Sequence, residues 1–333
     1  MAGQLFSTNS LGGFYASLNL SKELRMGVKA AVKFRQFASI KDAWGKVTRT
    51  GQTFTWDTVP MLTRASRALS ETNTMPQGNH TVVQGTLTVS ERGFSVPYTE
   101  FLESLSMVSV RTPIMKVLKQ DAATDLDALA HQQFNATPLR VVSTSSADTA
   151  FTLTTNSTAT ATNTTLISKI NVRAIVDGMK GRNIPFYTES EYYAIARPAS
   201  LRLLKSDIES VHQYTETGLQ KIMNGEIGRY WETRFVEQTA IPAGGAADST
   251  TYDPFTDTAD AWNGSAGDWV FFLGDDTVAE AIHTAEEIRA KNPDDYGRSK
   301  GIAWYFLGGY GLAHGFGGAN SDQARIVKYD SAV

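Results

Sequence analysis

Histidine is the side chain best suited to acid–base or metal chemistry near neutral pH, and the chain contains five histidines. They are His80, His131, His212, His283 and His314. No two of them have the H-x-x-x-H or H-E-x-x-H spacing that places two imidazoles on one face of a helix. The sequence therefore indicates no metal site, and each histidine is interpreted as structural.

Other short motifs in the sequence lack the residue spacing that a nucleophile, phosphate, dinucleotide or calcium site requires. Gly264-Ser-Ala-Gly267 is not the G-x-S-x-G of a nucleophile elbow, and the chain has no G-x-x-x-x-G-K-[ST] phosphate loop. Gly309-Tyr-Gly311 lies between predicted strands, whereas a dinucleotide fingerprint opens a helix. The spacing of Asp253, Asp257 and Asp260 departs from that of a calcium loop. We therefore predict no catalytic residue, no metal and no cofactor, and the chain is not expected to be an enzyme.

The composition is typical of a folded protein, and the chain contains no cysteine. The 333 residues are 41% apolar and 20% charged, which suffices for one large or two ordinary domains. The lack of cysteine excludes disulfide frameworks, thiolate metal sites and thiol nucleophiles. The first residues have neither the basic leader nor the apolar run of a signal peptide, and no apolar run is long enough to span a bilayer. Neither secretion by a signal peptide nor a membrane span is expected.

Charge is distributed unevenly along the chain, although the formal net charge is only −3. Residues 1–50 hold eight Lys and Arg against two acidic residues, whereas residues 241–333 hold six basic residues against fourteen acidic ones. A basic N-terminal arm can neutralise phosphates or lie on the acidic face of a neighbouring copy. We favour the contact between copies, because the arm lacks the character of a polybasic tail.

The secondary structure of the N-terminal arm is predicted from the spacing of its apolar residues. Apolar residues at helical spacing predict a helix from Ser21 to about Ile40, preceded by an extended leader over residues 1–20. A leader and one amphipathic helix cannot bury themselves as a separate domain. The arm therefore needs a partner surface.

Two alternating segments predict a pair of strands, at residues 52–59 and 83–89. The chain between them is long, has few large apolar residues and carries Arg64, Arg67 and Glu71. A two-stranded ribbon with such a loop is marginal in isolation. It too is expected to contact a neighbour.

A long helix is the clearest element of the sequence. Thr112 followed by Pro113 is typical of a helix start, and one apolar stripe continues to about Phe134. Residues 143–165 contain fourteen Ser and Thr in 23, which indicates a loop or an exposed β ribbon.

The remainder of the chain alternates between helices and strands. Helices are predicted near 166–179 and from Pro198, and strands at 191–197, 234–237, 269–273 and 325–329. Residues 241–267 form a loop without a basic residue. A helix is predicted from Asp275 or Asp276, with Val278, Ile282 and Ala285 inward, and a hairpin is predicted at Gly308-Gly309 between strands 302–307 and 310–314.

Short blocks distributed over most of this chain resemble a known family, the major capsid proteins of tailed bacteriophages, in the branch related to the capsid protein of coliphage N-four. The blocks are Phe34–Phe37 followed by Gly45, Gly51–Trp56 with Leu69–Glu71, Tyr193–Pro198 leading to Leu203–Asp207, Asn224–Gly228 before Arg234–Glu237, and Phe271–Gly274.

The resemblance implies an α+β fold, that of the Hong Kong ninety-seven capsid. It implies an N-arm over 1–45, an E-loop over 46–95, a P-domain over 96–165, an A-domain over 166–320 and a C-terminal strand over 321–333. Within these, the P-domain would hold the spine helix at 112–135 and the Thr-rich ribbon, and the A-domain would hold the acidic loop at 241–267.

The resemblance also implies a function, self-assembly into the icosahedral shell around a double-stranded DNA genome. The expected partners are further copies in hexamers and pentamers, enclosed DNA without sequence-specific contact, and scaffold, portal or decoration proteins, with no membrane. The chain is then expected in the virion, after assembly in the host cytoplasm. The alternatives are a phage tail adhesin or other carbohydrate-binding β-rich protein, and an enzyme with an unrecognised site.

Six charged residues are candidates for the contacts between subunits. They are Arg25, Lys29, Lys33, Arg64, Arg67 and Glu71. The three arm residues are expected to contact an acidic neighbour, so that deleting residues 1–40 should abolish shells and leave folded subunits. The three loop residues are expected to form charge-assisted hydrogen bonds with the next subunit, or else only to keep the loop soluble.

Overall fold

A computed structural model describes most of the chain. The described residues are 33–43, 53–59, 69, 71, 74–75, 77–80, 82–106, 108–143, 151–155, 166–212, 229–238, 268–315 and 323–331. The helices are α1 (Glu100–Leu105), α2 (Arg111–Asn135), α3 (Lys169–Gly181) and α4 (Arg202–His212), and Phe34–Phe37 forms a 3-10 turn. The strands are β1 (Ala38–Ala43), β2 (Thr53–Thr58), β3 (Val83–Thr88), β4 (Ser90–Thr99), β5 (Leu139–Ser143), β6 (Phe151–Thr154), β7 (Tyr192–Ala196), β8 (Arg229–Tyr230), β9 (Thr233–Glu237), β10 (Asp268–Leu273), β11 (Val278–Ala290), β12 (Ser299–Leu312) and β13 (Ile326–Ser331).

A four-stranded sheet packs against the long helix α2. Its order is β1-β11-β12-β4, with β1 parallel to β11 and the other neighbours antiparallel. The helix lies along β12, where the indole Nε1 of Trp304 donates a hydrogen bond to Asp121 Oδ2 at 2.7 Å. The predicted helix is confirmed, and its apolar stripe packs into the core between helix and sheet. The stripe consists of Ile114, Leu118, Ala122, Leu126, Leu129 and Ala130.

A seven-stranded sheet has two covered faces. Its order is β6-β5-β13-β10-β7-β9-β8, and alternate residues of β10 belong to different cores. Phe271 lies in the core shared with α2, whereas Phe272 lies in a second core with residues of α3 and α4. A strand buried on both faces has a continuous apolar sequence, which explains the run Trp269–Leu273. The strands predicted at 191–197, 234–237, 269–273 and 325–329 are confirmed.

The helices of this second core also follow the sequence pattern. α3 begins after Ser168, whose hydroxyl accepts a hydrogen bond from the backbone N–H of Asn171 at 3.4 Å. Leu201 and Leu204 are buried, as predicted, but α4 begins at Arg202 rather than at the predicted Pro198. β6, from the Thr-rich segment, pairs with β5 at the edge of the sheet, so part of that segment is a β ribbon.

The two-stranded ribbon β2–β3 lies over β12. Phe54 and Trp56 pack with buried Leu87 and Val89, as the alternation predicted. The Trp56 indole N–H donates a hydrogen bond to the carbonyl of Ala313 at 2.9 Å. This contact fixes the base of the ribbon to the end of β12.

The hairpin predicted at Gly308-Gly309 is wrong, because both glycines lie inside the continuous strand β12. A Cβ on Gly309 would lie 2.4 Å from the carbonyl oxygen of Thr88, and one on Gly308 would lie 2.6 Å from that of Ala281. The glycines therefore allow neighbouring backbone to approach closely rather than a chain reversal.

The helix predicted after Asp276 is also wrong, because Val278–Ala290 form strand β11. Residues Val278–Ala281 are all buried, since the α2 core covers one face and the β2–β3 ribbon covers the other. Burial on both faces hides the period of two that a strand normally shows. Pairing with β1 and β12 overrides the helical propensity of this Ala- and Glu-rich segment. Asp275 and Asp276 therefore do not cap a helix.

The predicted helix from Ser21 to Ile40 is wrong at its C-terminal end. Phe34–Phe37 form a 3-10 turn and Ala38–Ala43 form β1, which pairs with the edge of β11. Burial of Phe34 and the edge pairing outweigh the local helical pattern. Residues 21–32 lie outside the described part of the chain.

Candidate functional site

The segment 33–43 enters the molecule at a junction between the two sheets and α2. Phe34 is fully buried, and its ring lies 4.8 Å from that of His131, 5.4 Å from Phe134 and 5.6 Å from Phe271, centroid to centroid. One of these rings belongs to β10 of the seven-stranded sheet and two to α2. Phe34 is therefore part of the core, not of a detachable arm.

Two buried polar side chains hold the backbone of this segment. Asp127 of α2 accepts a hydrogen bond from the backbone N–H of Arg35 at 2.9 Å and one from the Gln238 amide at 2.8 Å. Gln238 in turn accepts from the backbone N–H of Lys33 at 3.0 Å. Burial raises the pKa of Asp127, and these hydrogen bonds act against that rise. The pair joins α2, the end of β9 and the incoming chain.

The Arg35 side chain makes the third connection, to β11. Its Nε donates to Glu280 Oε1 at 3.0 Å, and its terminal nitrogens bind Glu286 in a forked geometry at 2.9 and 3.1 Å. The Glu280 side chain is only 3% exposed and also accepts from the Tyr310 hydroxyl at 2.9 Å. Burial, followed by the charge of Glu280, raises the pKa of Tyr310, so the phenol remains a hydrogen-bond donor.

His131 makes this junction sensitive to acid. Burial, assisted by the charge of Lys328, lowers the pKa of His131 to about 4, whereas an unfolded histidine titrates near 6.5. The contribution of His131 to the free energy of unfolding should therefore be fully present above about pH 6.5 and fall by about 3 kcal/mol as the pH drops to 4, because His131 gains its proton mainly in the unfolded chain over that range.

This pH dependence can be measured by urea unfolding from pH 7 to 4.5. His131→Phe keeps an aromatic ring against Phe34 and Phe271 and removes the titration, so it should show a shallower fall. Asp127 has a raised pKa and acts in the opposite direction, but it is present in both proteins. Identical pH profiles for the two proteins would contradict the assignment.

A Ser–Asp–His group lies nearby but lacks the geometry for catalysis. The Ser39 hydroxyl donates to Asp276 Oδ1 at 2.7 Å, and His314 Nε2 lies 2.9 Å from Asp276 Oδ2. A nucleophilic triad needs the serine on the histidine, whereas here both residues bind the carboxylate. The three residues instead join β1, the start of β11 and the end of β12.

The described residues contain no group of three or more side chains able to hold a metal ion. A shallow groove of about 280 Å³ lies at the outer end of the four-stranded sheet, next to Pro97, Arg289 and Ile302. The residues that line this groove do not include the carboxylate and histidine side chains that acid–base catalysis commonly uses. In the part of the chain that the structure describes, no helix is long and apolar enough to cross a membrane.

Among the described residues, most of the exposed large apolar side chains lie in two regions, and Ile40 of β1 and Trp231 beside β9 lie outside them. One is the ribbon side of the molecule, between β2 and β3, and the other is the outer end of the four-stranded sheet with α1 and the start of α2. The exposed residues are Ile40, Val59, Leu69, Met75, Val82, Phe94, Phe101, Leu105, Met115, Val117, Trp231, Ile288 and Tyr296. Clusters of exposed apolar residues mark surfaces for protein contact.

The sequence-predicted contact residues are only partly described. Lys33 is half-buried and its backbone is held by Gln238 of the same chain, whereas Glu71 is exposed. Arg25, Lys29, Arg64 and Arg67 lie outside the described residues, as do Asp253, Asp257 and Asp260. The structure does not bring Lys33 and Glu71 together.

The sequence interpretation did not identify Arg35, Asp127, Gln238 and Glu280. Asp127 could have been found from the sequence, because it lies beside the apolar stripe of the predicted helix. An acidic residue that is buried there needs a hydrogen-bond partner. The other three have no sequence signal, because their partners lie far away along the chain.

Comparison with known proteins relates the fold to solved structures. No protein-family model matches the chain, and no curated protein matches its sequence. It is similar to the capsid of cyanophage P-SCSP1u, with a TM-score of 0.63, 12% identity and coverage of 95% of this chain and 93% of that one. The corresponding values are 0.61, 14%, 95% and 96% for the capsid of cyanophage Pam1, and 0.60, 14%, 98% and 97% for the capsid of Ralstonia phage GP4. Over nearly its whole length, the chain has the α+β fold of tailed-phage capsid structures, the Hong Kong ninety-seven-like fold.

Proposed function

We propose that this chain is the major capsid protein of a tailed double-stranded DNA bacteriophage and self-assembles into the icosahedral shell around the genome. The observation that carries the proposal is the likeness to phage capsid chains over 93% or more of both chains. A tail adhesin would not require this fold from end to end. The role is structural, without a catalytic site.

Within this proposal, the N-arm covers 1–45, the E-loop 46–95 and the C-terminal strand 321–333. The sheets support one refinement of the remaining ranges. β11 and β12 pair in the same sheet as β4 and pack with α2, so we assign them to the P-domain with the spine helix. The seven-stranded sheet with α3 and α4 is then the A-domain, together with the acidic loop. This A-domain takes in β5 and β6 from the range 96–165 and pairs with the C-terminal strand through β13.

The partners we propose are further copies of the chain in hexamers and pentamers, with double-stranded DNA enclosed but not read by sequence. Scaffold, portal and decoration proteins complete the set. The chain then resides in the virion after assembly in the host cytoplasm. The blocks from Phe34–Phe37 to Phe271–Gly274 support a place in the branch related to the capsid protein of coliphage N-four.

Electron microscopy of the purified protein tests this proposal. Closed shells, or capsomers of five and six subunits, are expected because the exposed apolar regions need cover from other copies. A monodisperse monomer at every salt concentration would show that the proposal is wrong.

Shells of this protein should contain no covalent link from the E-loop. Some relatives of this fold form an isopeptide bond between an E-loop lysine and an asparagine of a neighbour. Residues 51–100, which contain nearly all of the proposed E-loop, have no lysine, and Lys46 lies at the very start of the proposed range. Without an amine on the extended part of the loop, the bond has no attacking atom there. Denaturing electrophoresis of mature particles should give a single band at the 36.3 kDa monomer mass. A ladder of linked species would refute this prediction.

A further inference from the structure

The turn between β11 and β12 is a rigid tip with an aromatic residue at its apex. The backbone N–H and C=O of Asp294 pair with those of Ser299 at 3.2 Å, and Gly297 N–H donates to the Asp294 carbonyl at 3.2 Å. Asp295 N–H donates to the Asp294 carboxylate at 2.8 Å. These bonds fix the tip on its own backbone.

Tyr296, at the apex of the tip, is unusually exposed for an aromatic residue. Its side chain is fully exposed, and its φ of 55° lies in the left-handed region, between Asp295 at 52° and Gly297 at 91°. That region favours Gly or Asn, and an aromatic residue there is unusual. Because no described residue covers the ring, it is available for a contact outside the subunit.

A suitable acceptor lies on the first turns of α2. Met115, Lys116 and Lys119 are exposed and adjacent on one side of the helix, and we name them the lysine patch. Neither lysine forms an ion pair with a described residue. Two ammonium groups beside a thioether suit an aromatic ring, through cation–π and sulfur–aromatic contacts, and they also suit a carboxylate such as that of Asp294.

The tip and the lysine patch lie at the same end of the four-stranded sheet. The backbone N–H of Glu100, the first residue of α1, donates to the carbonyl of Arg298 at 3.0 Å. Lys300, at the start of β12, donates to Glu103 at 2.9 Å, and Arg111, at the start of α2, lies 3.9 Å from the same carboxyl group. The tip, α1 and the first turn of α2 therefore form one end of the molecule.

We propose that the tip, Asp294–Gly297, docks on the lysine patch of a second copy of this chain, with the Tyr296 ring between Lys116 and Lys119. The inference rests on the proposed function and names one contact by which the shell is held. Because donor and acceptor lie at the same end of each copy, a head-to-tail series of such contacts can close into a small ring about an axis at that end. The ribbon side and the seven-stranded sheet stay available for other contacts.

Two pairs of variants of the full-length protein test the contact. Tyr296→Asn removes the ring and suits the left-handed backbone, whereas Tyr296→Phe keeps the ring. K116E/K119E reverses the patch charge on a solvent-exposed helix face, whereas K116R/K119R keeps it. Thermal unfolding of the dissociated subunits shows that each variant folds.

The measurement is the subunit concentration at which half of the protein forms shells, followed by light scattering and electron microscopy. Tyr296→Asn and K116E/K119E should each raise that concentration about tenfold or more, as expected for a residue central to an interface. The Phe and Arg variants should stay near wild type. Combining Tyr296→Asn with K116E/K119E should add little, because both remove the same contact.

Each other outcome overturns the inference. If wild-type shells form and Tyr296→Asn or K116E/K119E shells form equally well, the contact is wrong and the proposed function stands. If the two defects multiply in the combined variant, the tip and the patch serve separate contacts. If K116E/K119E shells assemble normally but hold less DNA, the patch binds phosphates instead. If the wild type forms no shells at all, the proposed function fails as well.

Discussion

A protein that lacks residues 1–32 should fold as a stable subunit and form no shells. The apolar residues of this segment have helical spacing and need a partner surface, and the proposed partner is a neighbouring subunit. Truncation after residue 32 leaves Phe34 in the core and Arg35 on Glu280. Sedimentation and electron microscopy measure shell yield, and circular dichroism confirms the fold.

The structure sets the position of this truncation. Removal of residues 1–40, which the sequence suggested, would take Phe34 out of the core, and loss of a buried Phe costs about 3–5 kcal/mol. A protein that lacks residues 1–37 is therefore the matched control, expected to be unstable as a subunit. Wild-type shell yield from the protein lacking residues 1–32 would refute the role of the arm.

The arm contact should also weaken with salt if charge holds it. Arg25 and Lys29 are the proposed donors to an acidic neighbour, and the Debye length falls from about 10 Å at 0.1 M to about 3 Å at 1 M salt.

Arg35→Ala should lower the free energy of unfolding of the subunit by about 3–5 kcal/mol, because it leaves the buried Glu280 carboxylate without its cation. The Tyr310 hydroxyl remains as a donor, but a neutral donor does not compensate a buried charge. Urea unfolding of dissociated subunits at pH 7 measures the change.

Two further variants separate the buried pair from the exposed one. Glu286→Gln removes the partner of Arg35 whose side chain is 45% exposed and should cost less than about 1 kcal/mol. Adding Glu280→Gln to Arg35→Ala neutralises the stranded carboxylate and should recover much of the loss. If Arg35→Ala and Glu286→Gln cost the same, the argument from burial is wrong.

The elements with one buried face could be predicted from the sequence, because their burial leaves a clear period. α2 packs one stripe on the sheet, and β2 and β3 pack alternate residues on β12, so their patterns matched the structure. The resemblance to phage capsid proteins likewise predicted the α+β fold from short blocks along the chain. The charge asymmetry and the absence of lysine from residues 51–100 also follow from the sequence alone.

Tertiary structure decided the elements whose environment comes from distant parts of the chain. β11 is covered on both faces and paired on both edges, so its helical propensity was overridden. Gly309 lies in β12 because β3 passes within contact distance of its backbone. Arg35, Asp127 and Glu280 meet across more than 90 residues of sequence, and Tyr296 and Lys116 are brought to one end by the antiparallel path of β11 and β12. The sequence determines the local hydrophobic period and the charge. Which faces of an element are buried depends on packing against segments that are distant along the chain, and no local sequence pattern predicts that packing.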